Sequence, residues 1–97
     1  MRFQISFTPG ADADLAHFRV VDQRVIVAAI QEFLTIDPGS ASKRRKKLTD
    51  NPIAPWELRV GDHRVFYEIA AESSVTVLAI GVKEHNDLFI RGRKVEL

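Results

Sequence analysis

The sequence predicts an α+β fold in which a two-helix hairpin packs on one face of an antiparallel sheet. Three observations point there. Apolar residues alternate with period two at the start of the chain and again in its second half. Between those regions they recur at helical spacing, and residues that favour turns separate the runs.

The first run, residues 2–7, sets Phe3, Ile5 and Phe7 on one face and Arg2, Gln4 and Ser6 on the other, the pattern of a half-buried strand. Thr8 then stands as a helix N-cap, with Pro9 at the first helical position, where its missing N–H costs nothing. Ala11, Leu15 and Phe18 line one side of that helix. Asp22 is the expected cap of a second helix, in which Ile26, Ile30, Phe33 and Leu34 form one stripe. Asp37-Pro38-Gly39 cannot continue it. Three strands follow, at residues 56–60, 63–71 and 74–83, joined by Gly61-Asp62 and by a turn at residues 71–74. The expected order is therefore N-terminal strand, two-helix hairpin and three-stranded antiparallel meander. Residues 75–82 are apolar on both faces, which suits a strand covered on both sides.

Composition narrows the function classes. A chain of 97 residues is expected to form one domain, residues 1–97. Lys and Arg number 14 against 13 Asp and Glu, a net charge of +1. No overall field therefore draws the protein to a polyanion, and any anion site has to come from local clustering. The absence of cysteine excludes disulfides, thiolate metal sites and thiol catalysis. No apolar run is long enough to cross a bilayer, and the opening "MRFQISF" reads as a strand rather than a signal peptide. There is no P-loop, no GxSxG and no histidine spacing suited to a metal. The expectation is a cytoplasmic protein with no membrane partner, no metal and no cofactor.

The hairpin "PWELRVGDHRVFYEI" poses the functional question. A two-residue turn at Gly61-Asp62 pairs Val60 with His63, Arg59 with Arg64, Leu58 with Val65, Glu57 with Phe66 and Trp56 with Tyr67. Trp56, Leu58, Val60, Val65, Tyr67 and Ile69 then share the core face, and Glu57, Arg59, Arg64, Phe66 and Glu68 share the open one. Opposed like charges destabilise a hairpin by up to about 1 kcal/mol. Either the two glutamates neutralise the arginines, or the guanidiniums form a fork for phosphate oxygens.

More positive charge lies close by. Lys43, Arg44, Arg45, Lys46 and Lys47 form one run, and Arg91, Arg93 and Lys94 cluster near the C-terminus. Such runs are either solvated faces or phosphate-backbone contacts. Of the histidines, His17 reads as a surface residue and His63 as a packing residue near a strand end. His85, in the loop after the last strand, is either a bystander among charged neighbours or a general acid or base near neutral pH.

The element order, with "KKLTDNPIAPWELRVGDHRVFYEI" and "VTVLAIGVKEHNDLF", resembles the RelE/ParE superfamily of type II toxin–antitoxin toxins. The likeness covers residues 2–89, and the Trp-x-x-Arg-Val-Gly-Asp-x-Arg-Val hairpin is its most specific part. It implies a RelE-like toxin neutralised by a cognate antitoxin protein. The RelE branch cleaves mRNA on the ribosome, by attack of the ribose 2′-OH on the adjacent phosphate. The ParE branch poisons DNA gyrase. Carried over by position, Arg64 matches the hairpin arginine, Arg59 a basic position on the preceding strand, and Lys83 the basic position ending the last strand. These would hold the scissile phosphate, with His85 transferring the proton. The pattern breaks at Phe89, where relatives carry tyrosine, at Glu57, and at Glu84, where arginine is common. The leading expectation is a metal-independent, ribosome-dependent endoribonuclease that inhibits translation. The alternatives are a non-enzymatic gyrase poison and an attenuated antitoxin-binding member.

Overall fold

The computed structural model describes residues 2–71 and 73–97, so Glu72, within the expected turn at residues 71–74, lies outside the described residues, as does Met1. The elements are β1 (Gln4–Phe7), α1 (Pro9–His17), α2 (Val20–Phe33), β2 (Arg45–Lys47), β3 (Trp56–Val60), β4 (His63–Ala70), β5 (Ser74–Glu84), β6 (Asp87–Ile90) and β7 (Arg93–Val95). The expected α+β architecture is present, with both helices packed on one sheet face. The meander is longer than expected. Its strands run in the order β2-β3-β4-β5-β6-β7, and β1 pairs with β5 in parallel.

Local chemistry explains the helix limits. The Thr8 hydroxyl accepts the Ala11 N–H at 3.0 Å and Pro9 opens α1, as the cap pattern predicts. Asp22 does not cap α2. Only Phe18 and Arg19 separate the helices, so α2 already begins at Val20, and Asp22 falls in its first turn, 3.3 Å from Arg19 Nε. A carboxylate there still complements the positive end of the helix dipole. α2 stops at Phe33, ahead of the Asp37-Pro38-Gly39 signal. Arg45 of β2 reaches back to its end, donating from Nη1 to the Phe33 carbonyl at 3.1 Å and from Nε to the Ser40 carbonyl at 2.9 Å.

The main core lies between the helices and the sheet. Ile26, Ile30 and Leu34 of the helical layer meet Leu58, Val65, Tyr67, Val75, Val77 and Ile80, all almost fully buried. Each such aliphatic side chain contributes about 1.5–3 kcal/mol by leaving water. Tyr67 also donates its hydroxyl to the Pro38 carbonyl at 2.7 Å, tying down the link after α2.

β5 organises the rest. On its outer edge residues 74–77 pair in parallel with β1, and residues 82–84 pair in antiparallel with β6. α1 bridges the stretch between. Thr8 Oγ1 donates to the Leu78 carbonyl at 3.3 Å, and the Ile80 N–H donates to Asp14 Oδ2 at 3.0 Å. Asp14 is buried there to 3% exposure, and Arg91 Nε stands 2.8 Å from its other oxygen.

The sheet face away from the helices is not open, contrary to expectation. Phe66 on that face is fully buried. Leu48, Ile53 and Ala54 cover it from the β2–β3 connection, and Leu88, Ile90 and Val95 from the β6–β7 hairpin. The aromatic ring demanded cover that short polar strands alone do not provide. Asn51 shapes the connection, donating from Nδ2 to the Thr49 and Ala54 carbonyls and accepting the Ile53 and Ala54 N–H groups on Oδ1.

Candidate anion-binding site

The register places the expected arginines as the sequence predicts. Arg59 pairs with Arg64, and Arg64 pairs with Gly81 of β5. Cross-strand partners share a face, so both arginines lie on the face away from the helices, with Lys83 two positions beyond Gly81. The Lys83 N–H donates to the Asp62 carbonyl at 2.8 Å, which holds this end of β5 against the hairpin turn. The three cations thus form a short row across β3, β4 and β5.

Each arginine is held on one side. Arg59 keeps a half-exposed side chain, and its Nε lies 3.3 Å from Glu57 Oε1. Glu57 is itself buried, with only 4% of its side chain exposed. Arg64 folds back over the turn and donates from Nη1 to the Gly61 carbonyl at 2.7 Å and the His63 carbonyl at 2.9 Å. Its Nε is buried without an acceptor. Lys83 makes no side-chain hydrogen bond or ion pair among the described residues.

The expected proton-transfer groups are not assembled with this row. His85 occupies the β5–β6 turn with Asn86, both at positive φ, and its exposed ring has no hydrogen bond, ion pair or ring contact among the described residues. Phe89 pairs with Val82, which pairs with His63, so it lies on the helix face. There it joins His17, Phe18, Val82, Glu84 and Arg91 around a groove of about 390 Å³. A hydroxyl at position 89 would therefore sit on the opposite side of the sheet from Arg64. Tyr67 also lies on the helix side, and burial pushes its phenol well above the usual range, with Arg45 opposing in part. His63 packs its ring edge-on against Phe18 with centroids 5.1 Å apart, in line with the packing role expected.

The basic run divides by position. Arg45 serves the end of α2, Arg44 stacks over the Phe33 ring at 4.7 Å, and Lys47 lies over Trp56 at 5.6 Å. Lys46 is opposite Glu57 on the cation-bearing face and Lys43 is exposed before β2. Arg91 is engaged by Asp14, whereas Arg93 is exposed and has no partner among the described residues. Lys94 stands 3.5 Å from Asp87. Among the described residues no three His, Asp or Glu side chains come together as a metal site, and no helix is long and apolar enough to cross a membrane.

Residues 5–86 match the family model of the ParE toxin of the type II toxin–antitoxin system, parDE. The chain belongs to this ParE toxin family. The superfamily expected from the sequence is thereby borne out. Among solved structures, the RelBE2 toxin–antitoxin complex of Mycobacterium tuberculosis contains a similar chain, with a TM-score of 0.73 over 86% of this chain and 93% of that one. The identity is 21%, so that likeness shows the fold alone. No curated protein matches significantly.

For this ParE-family toxin, sequence reasoning found the arginine pair and offered Glu57 as a neutralising partner, but missed that this carboxylate is buried. The signal was present in the hairpin: Glu57 stands directly opposite Phe66, an aromatic residue that needs cover.

Proposed function

We propose that this toxin acts by binding its target rather than by cutting it, in the manner the ParE resemblance implies, with DNA gyrase as the target. The carrying observation is that the carboxylate beside the row of Arg59, Arg64 and Lys83, that of Glu57, is buried and held on Arg59, while His85 has no partner among the described residues to orient it. Cutting RNA needs a positioned group to take the 2′-OH proton, and an imidazole with no partner to fix its tautomer and direction serves that poorly. The family model supports the same branch.

The antitoxin partner belongs to this reading, as do a cytoplasmic site of action and a single folded unit. An acidic segment with apolar anchors suits the slot of about 640 Å³ between Ile53 and Ile90, floored by Leu78 and Ala79 and rimmed by Arg93. The ribosome-dependent endoribonuclease is the second reading. The one-face placement of Arg59, Arg64 and Lys83 favours it, with His85 as proton carrier and Lys43, Arg44, Arg45, Lys46, Lys47, Arg91 and Arg93 as RNA contacts.

Inducible expression separates the two. The binding reading expects growth arrest, cleaved plasmid accumulating with gyrase and intact mRNA, with Arg64→Ala restoring growth. Lys83→Ala is the parallel variant should Arg64→Ala fail to fold. Ribosome-dependent mRNA ends with uncleaved plasmid would select the endonuclease instead. Absence of arrest would leave an attenuated protein that binds its antitoxin.

A further inference from the structure

Buried carboxylates next to exposed cations need a reason, and Glu57 is the one that the function above does not use. It lies two residues from Arg59 on the same face, between Lys46 of β2 and Phe66 of β4. Its oxygen meets Arg59 at Nε alone, which leaves the end-on pair of Arg59, Nη1 and Nη2, free among the described residues. Arg64 presents the complementary situation. Its Nη1 is spent on the turn carbonyls and its Nε is buried, which leaves Nη2 without a partner among the described residues. A buried N–H without an acceptor is costly and rare, and Arg64 Nε is such a donor. The end-on fork of Arg59, set across the strand pair from an Arg64 already anchored on the turn, is therefore the one offered to a group of oxygens.

We propose that this fork, with Lys83, binds phosphate oxygens of a nucleic-acid duplex, and that Glu57 is the positioning residue that aims Arg59. The chemistry favours a duplex backbone over a single strand or a peptide. Phe66, the aromatic residue within this face, is fully buried, so no ring is offered for base stacking. The apolar slot that would anchor a peptide is lined by a different set of side chains, from Pro52 to Val95. The proposal rests on the binding reading only for its choice of DNA.

The test uses the purified protein and a fluorescein-labelled DNA duplex of about 20 base pairs, read by anisotropy between about 50 and 200 mM salt. The wild type binds with an affinity that falls as salt rises. Glu57→Gln removes a negative charge, so if Glu57 only neutralised the arginines, binding would tighten. As a positioning residue its loss weakens binding several-fold despite the more positive protein, and tighter or equal binding overturns the role. Arg59→Lys keeps the charge and loses the fork, so it also binds more weakly, and equal binding overturns the fork. This second variant decides the matter if Glu57→Gln does not fold by circular dichroism. Lys83→Ala lowers the log–log salt slope by about 1. A wild type that poisons gyrase yet ignores the duplex sinks this proposal and spares the binding reading. One that binds duplex without arresting growth does the reverse. An acidic peptide that binds more tightly than the duplex and loses that binding in Arg59→Lys assigns the face to protein and overturns the proposal.

Discussion

The two faces of the sheet share one backbone and differ in what covers them. On the helix side Leu58, Val65, Tyr67 and Ile80 disappear beneath α2 into an apolar layer. On the other side a small cluster around Phe66 is sealed by a loop and a hairpin, and a row of cations begins where that seal ends. Register decides which way a side chain points, and cover decides whether it becomes core or working surface. Glu57 and Arg59 show the difference two residues apart, one buried and the other exposed.

Substitutions can break or sharpen that contrast. Phe66→Ala is expected to cost about 3–5 kcal/mol, as much as emptying a site in the main core. Urea denaturation checks this, and a loss below about 1 kcal/mol would demote the second cluster to surface cover. Gly81→Ala follows, because a Cβ there would stand 2.7 Å from the Phe89 carbonyl oxygen, which the β5–β6 ladder cannot yield. Overpacking of this kind costs about 1–3 kcal/mol, seen as a lower Tm.

On the helix side Tyr67→Phe removes the bond to Pro38 at a cost of about 1 kcal/mol at neutral pH. It also alters alkaline behaviour. The folded state holds the Tyr67 phenol above its unfolded value of about 10, so its contribution is complete below that pH and is lost as pH climbs beyond it. Thermal melts of the wild type should fall off above about pH 10 more steeply than those of Tyr67→Phe. The smallest effect belongs to Arg93→Ala, at an exposed position with no partner among the described residues, with stability unchanged within about 0.5 kcal/mol.

Much of this was legible in the residues. The Gly61-Asp62 turn fixes the pairing of Arg59 with Arg64, because a two-residue loop leaves no freedom of register. Thr8 and Pro9 announce α1 for equally local reasons. β2 and β7 escaped notice because "RKK" and "RKV" carry no apolar alternation, so pairing partners alone make them strands. The roles of Arg44, Arg45 and Lys47 depend on Phe33, Ser40 and Trp56, which only the folded chain brings near. Phe89 is a different case. A two-residue turn at His85-Asn86 pairs it with Val82 by simple counting, so its side of the sheet could have been read without the resemblance, which marked it only as the place where relatives carry tyrosine.

The sharing of β5 between β1 and β6 also sets an order of events during synthesis. Gln4 cannot meet Ser74, its partner 70 positions later, until the ribosome has made most of the domain. The nascent chain must carry its first strand undocked through that interval, and such distant pairing slows the search for the native state. Assembly of the whole sheet, and with it the row of cations, therefore completes late, after the strand that joins both ends has emerged.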